Sequence, residues 1–183
     1  MSSNPSFNPG VSNEEVMFQC IEQGGPMNII KYLYEIGTTC REGAMDIAAK
    51  NGHLDVVKWL HENGKTCTTD AMNWACENGD LKMVKYLHEI DAPSSPLAME
   101  IAAEKGHLHI VKYLHANVST GACLTEVTDL AIKAGKLNVV KYLYKFYHGC
   151  PSCAIKLAIN NRRKHIAVWI RRKESKRKNV QKC

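Results

Sequence analysis

No stretch of the chain is apolar for anything close to the roughly 18 residues that a membrane helix needs, and no membrane partner is expected. The first ten residues, MSSNPSFNPG, have neither a basic start nor an apolar core, so the expectation is a chain without a secretory leader. No glycine-rich loop follows a strand pattern, which removes the usual carrier of phosphate-binding chemistry. No Ser/His/Asp or Cys/His set has a place to converge, and no carboxylates pair in a pocket-like context. The CPSC motif (Cys150 to Cys153) has no second pair to complete a zinc site. It also lacks the βαβ setting to which redox motifs of this form belong. These absences point to a non-catalytic protein with no cofactor, no metal and no small-molecule substrate. One enzymatic alternative stays open, a CPSC-dependent thiol enzyme, and it requires a reactive, low-pKa thiol at Cys150 or Cys153. The eight cysteines are scattered through helical patterns. With no export signal they read as reduced thiols, and the chain as intracellular, cytoplasmic or nuclear.

Acid is scarce at one end only. Residues 162–183 carry 10 Lys/Arg against one Glu, whereas residues 1–161 carry 14 Lys/Arg against 17 Asp/Glu. The formal net charge of +6 therefore hides a mildly acidic body and a strongly basic last segment, an asymmetry that bears on partners rather than on fold. At 45% hydrophobic and 23% charged residues the chain can bury a core.

What the chain has in quantity is repetition. GHLDVVKWLHENG (Gly52 to Gly64) returns as GDLKMVKYLHEID (Gly79 to Asp91), GHLHIVKYLHANV (Gly106 to Val118) and GKLNVVKYLYKFY (Gly135 to Tyr147). Gly25, Gly52, Gly79 and Gly106 are spaced by 27; Gly135 follows after 29, and Arg162 takes the same phase 27 later. A fixed period of this size means one supersecondary unit stacked on itself. Six units can be counted, with the first and last degraded.

Each unit reads as two short helices. The first runs through AMDIAAKN (Ala44 to Asn51), AMNWACEN (Ala71 to Asn78), AMEIAAEK (Ala98 to Lys105) and VTDLAIKA (Val127 to Ala134). Ala48, Ala75, Ala102, Ala131 and Ala158 share one phase, where a small side chain lets a neighbouring helix come close. Beside them run a large apolar row (Ile47, Trp74, Ile101, Leu130, Leu157) and a polar row (Asp46, Asn73, Glu100, Asp129, Lys156). The phase glycine is expected to end this helix in a left-handed conformation. The second helix follows at once, with Leu54, Val56, Val57 and Leu60 on one apolar face and Leu81, Met83, Val84 and Leu87 repeating it. Ser12 with Glu15 and Thr39 with Glu42 fit capping boxes, and Pro96 after Ser95 fits a first-turn proline.

The string AAKNGHLDVVKWLHENG resembles the ankyrin repeat, whose units run small-small, two polar residues, Gly-His, then an apolar helix ending in Gly. The match covers roughly residues 14 to 172. In its period the chain looks most like the short ankyrin variants common in large DNA viruses of amoebae and in some protists, which implies a host cell if the source is viral. The usual repeat is about 33 residues long and opens with T-P-L-H. Here GAMD (Gly43 to Asp46) or DAMN (Asp70 to Asn73) stands in that place. The resemblance implies an all-α ankyrin-repeat solenoid of stacked helix-turn-helix units, with β-hairpin fingers short or absent. The expected organisation is a flexible segment 1–11, a repeat domain 12–172 and a basic tail 173–183. The repeat units fall at about 12–37, 38–64, 65–91, 92–118, 119–147 and 148–172, and polar residues at the joint of the last make it a cap.

The family's role implies a protein-binding scaffold that uses the first-helix and loop face. The exposed candidates are Asp46, Lys50, Asn51, Asn73, Glu77, Asn78, Glu100, Glu104, Lys105, Asp129 and Lys133. This face is mainly acidic and amide-rich, which suits a basic or polar protein segment. The alternative is a nuclear or nucleic-acid-associated protein acting through its basic end. Arg162, Arg163 and Lys164 form one cluster there, and Arg171, Arg172, Lys173, Lys176, Arg177 and Lys178 a second, expected to run past the last helix. An import receptor or a phosphate backbone would be the partner.

Three further rows read as structural. Cys40, Cys67, Cys123 and Cys150 share one phase, as packing positions do. His61, His88 and His115 lie 27 apart, too far across stacked helices for one ion, and His53 and His107 suit hydrogen bonds within loops. The aromatic row Tyr32, Trp59, Tyr86, Tyr113, Tyr142 and Trp169 fits partial core with polar tips in water. Beside it, Lys31, Lys58, Lys85, Lys112 and Lys141 solvate the outer face, with Glu35, Glu62 and Glu89 four places along to pair with them.

Overall fold

The computed structural model describes residues 12–180; the expected flexible segment 1–11 lies outside them. Among the described residues the chain forms twelve α-helices and no strand. The helices pair as six hairpins, and the connections between hairpins are short loops where fingers would stand. The chain divides into two compact units between Ala71 and Met72, inside the fifth helix.

In the first unit, α1 (Asn13–Gln23) packs on α2 (Met27–Glu35) and on α3 (Ala44–Lys50), and α3 packs on α4 (Leu54–Glu62). Ser12 caps α1 by accepting the Glu15 backbone N–H at 3.3 Å. Thr39 caps nothing. Helix α3 starts four residues later than a Thr39–Glu42 capping box requires, behind a left-handed Gly43, and the Thr39 hydroxyl donates to the Glu14 carboxylate instead. The core of this unit is Met17, Ile21, Ile30, Met45, Ala48, Val56, Val57 and Leu60, each 1% exposed or less. Burying an aliphatic side chain of this size contributes about 1.5–3 kcal/mol.

In the second unit, the end of α5 (Thr69–Asn78) is followed by α6 (Leu81–Glu89), α7 (Pro96–Lys105), α8 (Leu108–Asn117), α9 (Leu124–Ala134), α10 (Leu137–Leu143), α11 (Pro151–Asn160) and α12 (Lys164–Val180). First helices pack on first helices, α7 on α9 and α9 on α11, while α8 touches α6 and α10 on the other layer. The alanine row makes the first contact close: Ala102, Ala131 and Ala158 are fully buried, as are Ala48 and Ala75 in their own units. Val84, Leu87, Ile110, Val111, Leu114, Val139, Val140 and Leu143 fill the layer of second helices.

The row Ile47, Trp74, Ile101, Leu130 and Leu157 is half-buried; the large side chains fully inside are Met45, Met72 and Met99, two positions earlier. Two expectations about the helix ends need correction. The left-handed exit from the first helix holds at Gly52, Gly79, Gly106 and Gly135, and Arg162 adopts it too, at φ 59°. In the first hairpin, however, it falls on Gly24 rather than Gly25. The second basic cluster does not run past the last helix. Helix α12 continues to Val180 and contains Arg171, Arg172, Lys173, Lys176, Arg177 and Lys178.

Candidate protein-binding face

The polar row of the first helices is where the sequence places recognition, and its first two members are in fact inside. Asp46 is 8% exposed and Asn73 is 7% exposed. The Asp46 carboxylate accepts the Thr68 backbone N–H at 2.9 Å and the Thr68 hydroxyl at 3.1 Å. It forms part of a cleft lined by Cys40 to Asp46 and Gly64 to Thr68, with each of its oxygens bonded to Thr68. Asn73 Oδ1 is buried with no hydrogen-bond partner. Asp129 is half-buried and accepts from the Tyr147 hydroxyl at 3.2 Å. Burial raises its pKa, and that hydrogen bond works in the opposite direction. Three of the four acids and amides in this row therefore belong to the packing of the repeats. Glu100, the fourth, is half-buried.

The remaining candidates lie at the ends of the first helices. Lys50 and Asn51 are exposed in the first unit, and the Asn51 side chain donates back to the Ile47 carbonyl at 3.1 Å. In the second unit Asn78, Glu104, Lys105 and Lys133 are exposed and Glu77 is half-buried. Lys105 Nζ stands 2.7 Å from Glu77 Oε1, joining the ends of α5 and α7 by a pair that water screens.

Behind this rim runs a device the sequence did not reveal. In three of the hairpins the residue after the left-handed exit reaches back to the last turn of the preceding first helix. His53 Nε2 donates to the Glu22 carbonyl at 3.1 Å, His107 Nε2 to the Glu77 carbonyl at 3.0 Å, and Arg163 Nε to the Lys133 carbonyl at 3.1 Å. A carbonyl only accepts, so both histidines carry their proton on Nε2. His53 and His107 therefore bridge hairpins rather than close their own loops. Each bond satisfies one of the carbonyls that a helix C-terminus leaves open. His109 joins the same set through the Gly79 carbonyl, at 3.1 Å. The acceptors are backbone atoms of ordinary residues, so no side-chain pattern announces them. The recurring Gly-His pair was the only signal.

The outer layer is latched in the same way. His88 Nδ1 lies 2.8 Å from the Tyr113 hydroxyl, and His115 Nδ1 lies 2.9 Å from the Tyr142 hydroxyl. Lys85 and Lys112 stand over the rings of the same two tyrosines, 5.7 Å from each centroid. The aromatic row is half-buried except for Tyr32, which is 61% exposed. The lysine stripe is thus partly engaged by the next hairpin's aromatic rather than by glutamates of its own helix.

At the basic end, Arg162 and Lys164 are exposed and Arg163 is the half-buried inter-hairpin donor. Trp169, Arg171, Arg172, Lys173, Ser175 and Lys176 line one surface depression on α12. Arg177 is held 3.2 Å from Glu174, which also accepts from the Tyr144 hydroxyl. The Lys178 side chain lies outside the described residues.

The cysteine row splits. Cys40 and Cys67 are half-buried, the Cys40 thiol 3.4 Å from Met17 Sδ, and burial raises the pKa of both, that of Cys67 to about 11. Cys123 and Cys150 are exposed, so the shared phase does not mean shared packing. Among the described residues no three His, Cys, Asp or Glu side chains gather as metal ligands. No helix among them is long and apolar enough to cross a membrane.

A search of curated proteins finds no match. The family described as ankyrin repeats (3 copies) matches residues 16–96, 46–124 and 72–153, overlapping spans that reach from the first hairpin to the start of the last. Ankyrin repeats are generally protein–protein interaction modules and typically non-enzymatic scaffolds. With its stacked helix-turn-helix hairpins, left-handed glycine exits and repeated Gly-His bridges, the chain belongs to the ankyrin-repeat family.

Proposed function

We propose that this chain is a non-catalytic module that binds a basic or polar protein segment along the ends of its first helices and the adjoining loops. Each unit offers its own contact residues: Lys50 and Asn51 in the first, and Glu77, Asn78, Glu104, Lys105 and Lys133, with Glu100 one turn before Glu104, in the second. The observation that carries this reading is a division of labour within each first helix. The alanines of the joint are identical in the last five hairpins and fully buried. At one phase of the helix ends Lys50, Glu77, Glu104 and Lys133 change from hairpin to hairpin, and all but the half-buried Glu77 are exposed. A packed scaffold also loses little freedom on binding, which keeps the ordering cost low. Asp46, Asn73 and Asp129 support this face from within.

The second reading gives the work to α12. Arg171, Arg172, Lys173 and Lys176 are all exposed around Trp169, which suits the phosphates of a nucleic acid and predicts binding that falls steeply with salt. Import-receptor binding through the same cluster leads to nuclear localisation.

Affinity capture from lysate, with and without nuclease treatment, separates the readings. Three forms of the full chain are compared: unchanged, Glu100→Lys with Glu104→Lys, and Arg171→Gln with Arg172→Gln and Lys173→Gln. The chain is kept whole, since a cut at Arg172 severs α12 and removes Glu174 from Tyr144. Loss of captured proteins in the glutamate variant alone supports the helix-end face. Loss in the arginine variant alone, or on nuclease treatment, overturns it in favour of α12.

A further inference from the structure

The slot that holds Cys40, Cys67, Cys123 and Cys150 changes character in the last hairpin. Three residues beyond it stand Gly43, Asp70 and Glu126 in the other three cases, and a second cysteine, Cys153, only here. Cys150 is the N-cap of α11, in an extended conformation (φ −75°, ψ 118°), and Pro151 opens the first turn. Cys150 and Cys153 are both free and both exposed. Both stand in the first turn of α11 or directly before it, and Cys150 Sγ lies 2.9 Å from Ser152 Oγ. Cys40 and Cys67, by contrast, are half-buried.

We propose that Cys150 and Cys153 are a thiol pair that exchanges with low-molecular-weight disulfides of the glutathione type and closes reversibly into an intramolecular disulfide. The inference does not depend on which partner the repeat face binds. Residues three apart on a helix have Cβ atoms about 5–6 Å apart, about 1–2 Å more than a disulfide requires. Cys150 is the N-cap and lies before the first helical residue, Pro151, so closing that gap takes a backbone adjustment outside α11.

The direction of attack follows from the surroundings. The Cys150 thiol is lowered to about 7, first by the Ser152 hydroxyl and then by the Cys153 backbone N–H and thiol. Cys153 moves up, chiefly through its hydrogen bond to Cys150 and the charge that thiol carries, and Lys156 opposes the rise. Tyr147, the other titratable group facing the pair, is held protonated by burial and by Asp129. Cys150 is therefore the nucleophile and Cys153 the resolving thiol. The Cys150 thiolate attacks one sulfur of glutathione disulfide; that S–S bond breaks, and one glutathione leaves as thiolate and takes up a proton. Cys153, giving its proton to solvent, then attacks Cys150 Sγ and expels the second glutathione thiolate, which is protonated in turn. The protein loses two electrons and glutathione disulfide gains them, with no further oxidant.

The test is equilibration of the reduced full chain in buffers of varied reduced-to-oxidised glutathione ratio, followed by acid quench, alkylation and peptide mass spectrometry. The unchanged chain is expected to accumulate a disulfide within the Cys150–Cys153 peptide, with a single midpoint. Cys153→Ser is expected to stop at glutathione bound to Cys150, formed roughly threefold faster at pH 7 than on an unstructured cysteine peptide. The larger thiolate fraction is partly offset by the lower nucleophilicity of a lower-pKa sulfur. Cys150→Ser is expected to leave Cys153 no more modified than Cys123. Circular dichroism checks that both serine variants keep their helix content. The proposal is overturned if no internal disulfide forms in fully oxidised glutathione. It is overturned equally if the two serine variants take up glutathione at the same rate.

Discussion

The Asp46 carboxylate accepts both the backbone N–H and the hydroxyl of Thr68, at 2.9 and 3.1 Å. This bond pair ties α3 to the loop that leads into the next hairpin, in a repeat that has no β-hairpin finger to do so. Asp46→Ala is expected to lower the stability of the first unit by about 1–3 kcal/mol, the scale of hydrogen bonds to a charged acceptor. Asp46→Asn retains an oxygen acceptor for the N–H and is expected to lose about half as much. Urea denaturation of both variants measures this. Unchanged midpoints would mean that water replaces Thr68 without loss.

Asn73 occupies the same phase in the next hairpin with the opposite balance. Its Oδ1 is buried and unpartnered, a state that costs about 1–3 kcal/mol relative to a satisfied group. Asn73→Ala removes the orphaned oxygen, and alanine is also the better helix former. The expected result is an unfolding midpoint equal to or above that of the unchanged chain. A loss of more than about 1 kcal/mol would show that the Asn73 side chain makes packing contacts outweighing its unmet hydrogen bond.

These two residues also mark where the sequence misleads. The 27-residue phase made six hairpins, the alanine joint and the glycine exits legible, because backbone geometry forces the same small or left-handed residue at each turn. Polarity was a poorer guide. Asp46 and Asn73 read as surface because nothing in one sequence tells an acid facing water from an acid facing a buried backbone N–H. The apolar side of the first helix was no more legible. Met45 and Ile47 are both apolar and lie about 200° apart on a helix, so periodicity could not choose the buried one. The inter-hairpin bonds of His53 and His107 were hidden for another reason, since their acceptors are main-chain carbonyls that every residue possesses.

Those carbonyls make the glycine exits unequal. Gly52 and Gly79 have nearly the same left-handed φ, 78° and 76°. A Cβ on Gly52 meets nothing within 4 Å, whereas one on Gly79 lies 2.7 Å from the His107 ring. Gly52→Ala therefore carries only the left-handed strain, about 1–2 kcal/mol. Gly79→Ala adds displacement of His107 and loss of its bond to the Glu77 carbonyl, for a total of about 2–4 kcal/mol. A double-mutant cycle with His107→Ala reads the difference. Part of the Gly79→Ala penalty should vanish in the His107→Ala background, and strict additivity would show that the ring moves aside freely.

The cysteines give the chain an internal scale for thiol reactivity. Cys76 is fully buried and pushed up to about 12, while Cys150 stands in water and is lowered to about 7. Only the thiolate alkylates, so native-state iodoacetamide should leave Cys76 untouched and modify Cys150 at a rate that climbs from pH 5 and levels off about a unit above pH 7. The Ser152 hydroxyl is the first cause of the lowering; Ser152→Ala removes a donor to the thiolate, so the charged form loses support and the midpoint must move up. Peptide-resolved alkylation rates across this pH range measure both. A Cys150 profile near the free-thiol value of about 8.5, unmoved by Ser152→Ala, would mean that the end of α11 does nothing to its cysteine.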